Sequence, residues 1–109
     1  MSISASISVS AGSIPIVENT RVPVAIDEPV LSGDFLIGTM VTCSDGTWTN
    51  DPYKFKYQWY RDSKPIPFAL SSMYLLVIFD NDTKISCLVT AYNDFGDGSQ
   101  YSNRVYITG

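Results

Sequence analysis

The chain has 109 residues, seven Lys and Arg against eleven Asp and Glu, a net charge of −4 and no His. That length suits one domain able to bury about 65% of the surface its unfolded chain exposes. Without His the commonest general base and metal ligand is missing, two Cys are too few for a structural zinc site, and the charge has the wrong sign for holding a nucleic-acid backbone.

Residues 1–21 alternate Ser with Ile, Ala or Val, with Ile3, Ile7 and Val9 as the larger apolar members. Such an arm can form an edge strand but cannot build a core alone. The start lacks a basic region followed by a continuous apolar run, and no segment approaches the ~18 apolar residues of a membrane span. Neither a signal peptide nor a membrane association is expected, and synthesis in a host cytoplasm is.

From residue 22 onward, short alternating segments are separated by turn residues, with no helical period of useful length, so the chain is predicted to be all-β. A first strand is expected over residues 22–31, ended by Ser32-Gly33-Asp34, and a second over 35–43, with Ile37, Thr39, Val41 and Cys43 pointing inward by period two. Ser44-Asp45-Gly46 ends that strand and Asn50-Asp51-Pro52 leads into a third, where Phe55, Tyr57 and Trp59 share one face and Lys54, Lys56, Gln58 and Tyr60 the other. After a turn at residues 62–65 and a loop to Ser72, a strand is predicted over 73–79. Asp80-Asn81-Asp82 turns the chain into residues 84–92, with Ile85, Cys87, Val89 and Ala91 inside. Residues 93–98 read as a hairpin loop, and the last strand directs Val105 and Ile107 inward.

Two acidic clusters, Asp80 with Asp82 and Asp94 with Asp97, raise calcium as a question. Neither has the spacing of an established calcium loop, and Asp is a turn former whose side chain bonds nearby backbone, so no metal and no cofactor is expected. No nucleophile, base and orienting group recur in a recognisable motif, and the chain is expected not to be an enzyme.

Several motifs occur in order: Gly46-Thr47-Trp48, then Tyr57-Gln58-Trp59-Tyr60-Arg61-Asp62 with Pro65-Ile66, then Tyr74-x-Leu76-x-x-x-Asp80, then Ile85-x-Cys87-x-Val89-Thr90-Ala91-x-Asn93-x-x-Gly96. Across roughly residues 26–107 this resembles the immunoglobulin-like domains of bacterial surface proteins and tailed-phage virion proteins. The resemblance implies an immunoglobulin-like antiparallel β-sandwich over residues 22–109 with an extended arm at 1–21, and a core pin of Cys43, Trp59 and Cys87. The chain departs from the pattern at Asp82, where the turn normally carries Gly, and at Ile85, where antibody-type domains have a tyrosine corner. A bridge between Cys43 and Cys87 would stabilise the fold by about 4 kcal/mol in the chain-entropy model. A reducing cytoplasm would leave two buried thiols packed as small hydrophobes. Both readings stay open at this point.

The resemblance places Tyr74, Leu76 and Ile78 in the core, which sends Met73, Leu75, Val77 and Phe79 outward. Leu36 and Met40 join them from the paired strand. A contiguous apolar face of this kind marks a surface covered by something else. The opposite sheet presents Tyr60, Leu88, Tyr92 and Tyr106, a Tyr-rich set of the sort enriched at interfaces. The expected role is a non-enzymatic virion structural protein, a phage head decoration or cement subunit whose arm and apolar face anchor it to capsid protein or to copies of itself. The alternative is a recognition module aiding adsorption to host-surface glycan through Trp48, Tyr53 and Phe95, although for Trp48 the resemblance favours a cap on the open end of the core.

Overall fold

The computed structural model of the chain describes residues 21–108, so Ile3, Ile7 and Val9 lie outside the described residues. The strands in chain order are β1 (Ala25–Asp27), β2 (Leu31–Ser32), β3 (Met40–Cys43), β4 (Thr47–Trp48), β5 (Lys54–Arg61), β6 (Lys64–Pro65), β7 (Met73–Leu75), β8 (Thr83–Asn93), β9 (Gly96–Tyr101) and β10 (Val105–Ile107). One sheet runs β2-β3-β7; a second runs β10-β8-β5-β6 with β9 also on β8; β1 pairs with β4. Every pairing is antiparallel.

The core forms where the two sheets meet, which makes the fold β-sandwich-like. Leu31, Val41, Cys43 and Leu76 come from the smaller sheet and its edges, and Trp59, Ile85, Cys87, Val89 and Ile107 from the larger. Ile85, Cys87, Val89 and Ala91 are all sealed from solvent, as the period-two pattern along β8 predicts. Trp59 is their neighbour on β5, in register with Cys87, and its indole N–H donates to Ser71 O at 2.7 Å. That bond satisfies the one polar atom of the largest core side chain. Both cysteines are free thiols. Their proximity lowers the Cys43 pKa and raises that of Cys87.

Three predicted strands are shorter in the structure. Residues 22–31 split in two: β1 pairs with β4, and β2 pairs with β3 beyond the buried Pro29, which has no N–H for a continuous ladder. Over residues 35–43 only Met40–Cys43 is extended. Phe35 (φ 58°) and Gly38 (φ 90°) turn the backbone, and Thr39 Oγ1 donates to Leu36 O at 2.7 Å, so Ile37 and Thr39 reach half-buried positions from a turn rather than a strand. The strand expected over 73–79 stops at Leu75.

Beyond it, Leu76 enters the core and a 3-10 turn forms at Ile78–Asp80. Ile78, expected inside, is 72% exposed, because the turn breaks period two. The cause is Asp80: its carboxylate accepts the Val77 N–H at 2.8 Å, and its own N–H donates to Val77 O at 2.8 Å. Asp80 is therefore more than a solvated turn former. It is 0% exposed, and it also takes Arg61 Nε at 2.6 Å and the Tyr74 hydroxyl at 2.8 Å. Two residues on, Asp82 stands at φ 62°, a left-handed conformation that Asp tolerates better than most non-glycine residues.

Burial first, and then the hydrogen bond to Asp80, push the Tyr74 phenol up to about 12. A folded-state pKa above the ordinary 10 gives a contribution that is complete below pH ~10 and lost as pH rises through about 12. Stability is expected to fall across that alkaline window, and Tyr74→Phe to flatten the fall. Urea titrations at several alkaline pH values check this; an unchanged slope in the variant would count against it.

Candidate docking face

Register puts Met40 of β3 directly opposite Leu75 of β7, and Thr42 opposite Met73. Cross-strand neighbours on one face lie close enough for their side chains to touch. Met40, Leu75, Met73 and, from the turn before β3, Leu36 are all exposed on the outside of the smaller sheet. Four of the residues singled out from the sequence are thus exposed together, and two others are placed differently. Val77 is half-buried, with its N–H held by Asp80, and Phe79, although exposed, sits on the 3-10 turn rather than on the sheet face.

The structure adds two residues that period-two reasoning misses. Gln58 Nε2 donates to Ile66 O at 2.9 Å, the Trp59 N–H donates to Ala69 O at 3.0 Å, and the Ile66 N–H donates to Trp59 O at 2.9 Å. These bonds strap the 66–71 loop to β5. The strap turns Phe68 and Leu70 outward beside Met73 and Leu75, along a shallow groove of about 270 Å³. Phe68 is 96% exposed at φ 64°, a costly conformation for an aromatic residue. The signal available in sequence is charge: from Ile66 to Phe79 no residue is ionisable to Lys, Arg, Asp or Glu type.

The same strand is a sheet edge. The Cys43 N–H donates to Ser72 O at 2.8 Å and the Leu76 N–H to Thr39 O at 3.0 Å. Alternation therefore turns the peptide groups of Met73 and Leu75 away from β3, toward the open side. Edge strands are ordinarily guarded by Lys, Pro or a bulge. Here the Met73 N–H turns onto the Ser71 hydroxyl at 3.3 Å, and an edge without Lys, Pro or bulge adjoins an apolar face.

The other sequence candidates are placed as follows. Tyr60 is half-buried, its ring meeting Tyr101 edge to face with centroids 5.4 Å apart. Tyr92 lies under the Lys54 and Lys56 ammonium groups at 5.7 and 5.4 Å, Leu88 is half-buried and Tyr106 is exposed. Trp48 is half-buried, packs against the core and donates its indole N–H to Asp45 O at 2.7 Å, so it caps one end of the core. Tyr57, beside it in the same region, bonds the Asp45 carboxylate; burial and that bond raise its pKa. Phe95 is exposed, with the Arg21 guanidinium 5.2 Å over its ring, and Tyr53 is exposed. Among the described residues no three His, Cys, Asp or Glu side chains converge as a metal site would require. No helix of the described residues is long and apolar enough to cross a membrane.

Searches against protein-family models, curated proteins and solved structures returned no match for this chain.

Proposed function

We propose that this chain is an immunoglobulin-like β-sandwich acting as a non-enzymatic virion structural protein, a decoration or cement subunit that attaches to the head of a tailed phage. The observation that carries the attachment is the apolar strip Met40, Leu75, Met73, Leu70 and Phe68 beside an open strand edge. Solvated sheet faces are usually polar, and a contiguous apolar patch beside a sheet edge is the combination that strand addition by a partner satisfies. The exposed Phe68 ring supplies the kind of large aromatic anchor on which interface energy concentrates. The phage setting rests on the motif resemblance, and the arm of residues 1–21 is the second element of the anchor.

The test uses phage heads that lack the protein, mixed with the full-length chain and sedimented. Met40→Lys together with Leu75→Lys is expected to cut retention on heads at least ~10-fold while leaving the melting temperature nearly unchanged, since both residues are exposed on the sheet face, at 44% and 48%, and long Lys side chains can reach water from there. Deleting residues 2–20 is expected to abolish incorporation and leave a folded domain. Equal retention of the charged variant would overturn the attachment reading.

A second reading, adsorption to host glycan, draws support from Tyr53 and Phe95, which are both exposed. Trp48 no longer contributes to it, because its ring closes the core and its N–H is already bonded.

A further inference from the structure

The outer face of the larger sheet carries a feature unrelated to the docking strip. Alternation along β8 sends Ser86 outward, in register with Tyr60 of β5. An outward Ser on such a face is ordinarily wet, yet Ser86 is 4% exposed. The reason is a local irregularity in the strand beside it. Tyr101 pairs with Leu88 and Val105 with Ile85, so Ser102, Asn103 and Arg104 span what Ser86 and Cys87 occupy on β8. The surplus residue bulges the backbone, and bulges of this kind re-aim side chains.

The result is a cleft of about 320 Å³ lined by Ser63, Ser86, Tyr101, Ser102 and Arg104. Ser102 is committed to the scaffold: its hydroxyl accepts the Cys87 N–H at 2.9 Å and donates to Asn103 O at 2.8 Å. Tyr101, its ring edge to face with Tyr60, forms one wall. Two groups remain unused. The Ser86 hydroxyl has no hydrogen-bond partner among the described residues, and the Arg104 guanidinium has neither ion pair, hydrogen bond nor aromatic contact there. A buried hydroxyl without a partner is unfavourable in the empty protein and calls for a specific explanation.

We propose that this cleft binds a carboxylated monosaccharide unit of the uronic acid class. The guanidinium of Arg104 offers the planar fork that matches a carboxylate. Ser86, with Ser63 at the rim, meets ring hydroxyls, and the Tyr101 ring lies against the apolar face of the sugar. Size favours a sugar over a bare anion: ligand pockets start at about 300 Å³, and phosphate or acetate would leave most of the space unfilled. The site is independent of the capsid-docking strip and stands whether or not that reading holds.

The experiment titrates the isotope-labelled full-length chain with D-glucuronate and D-galacturonate, with D-glucose and acetate as comparators, and follows backbone amide shifts. At least one uronate should give saturable shifts centred on Ser86 and residues 101–104, with glucose and acetate at least ~10-fold weaker. Arg104→Gln should weaken uronate binding by ~10-fold or more. Ser86→Ala should weaken it by about threefold while leaving the melting temperature equal or higher, because it removes a hydroxyl that the empty protein leaves unpaired. Absence of saturable shifts with both uronates, equal binding of acetate or glucose, or unchanged affinity in Arg104→Gln would overturn the proposal.

Discussion

Asp80→Ala is expected to lower the free energy of unfolding by about 3 kcal/mol or more, read from urea titration at neutral pH. The carboxylate is the common acceptor of Arg61 Nε from β5 and, from the end of β7, of the Tyr74 hydroxyl and the Val77 N–H. Its removal leaves Arg61 and Tyr74 with only the 3.2 Å bond from Arg61 Nη2 to the Tyr74 hydroxyl, strands the Val77 N–H and releases the turn that ends β7. Arg61 is 29% exposed on its side chain, so part of its charge is screened by water, which sets the expectation at the low end of the range for breaking a buried pair. Tyr74→Phe, which removes one donor to Asp80 and the acceptor of the long Arg61 Nη2 bond but leaves the carboxylate otherwise occupied, should cost only about 1 kcal/mol. A loss under about 1 kcal/mol for Asp80→Ala would mean that the network is ornamental to the fold. The docking strip depends on this network, since the turn fixes where β7 stops and so which residues face outward.

Gly98→Ala is the second large effect. Gly98 lies on β9 opposite Ala91, and a Cβ added there would sit 2.0 Å from the Pro23 carbonyl oxygen and 3.1 Å from its carbon. Neither atom can rotate away, because both are backbone. The segment leading into β1 has to lift from β9, which disturbs the contact with Trp48 at that end of the core. The expected cost is about 2–3 kcal/mol, seen as a fall in melting temperature of about 10 °C or more. Gly38→Ala supplies the comparison. Nothing lies within 4 Å of its added Cβ, but φ is 90°, so only backbone strain of about 1 kcal/mol is expected. Equal melting temperatures for Gly98→Ala and the wild type would contradict the close approach.

The period-two pattern was enough to predict β5 and β8 with their inward residues, because these strands are long and each repeats the same local choice many times. The short elements were not legible in the same way. Residues 22–31 and 73–79 read as continuous strands, yet one is divided near Pro29 and the other is cut at Leu75 by a side chain outside the strand. Exposure of Met40, Met73 and Leu75 followed from alternation, whereas Phe68 and Leu70 follow no period and owe their position to the bonds that strap their loop to β5.

What the chain determined by itself is the all-β character, the inward face of β8 and the absence of charge from Ile66 to Phe79, since side-chain alternation and composition need only neighbours in sequence. The tertiary structure alone decided that Asp80 is buried against Arg61, 19 residues away, and that Ser86 lines a cleft. Those outcomes depend on which separate segments meet across the fold, and a hydrogen-bond partner or a covering side chain brought from another strand leaves no periodic trace in the sequence around the residue it affects.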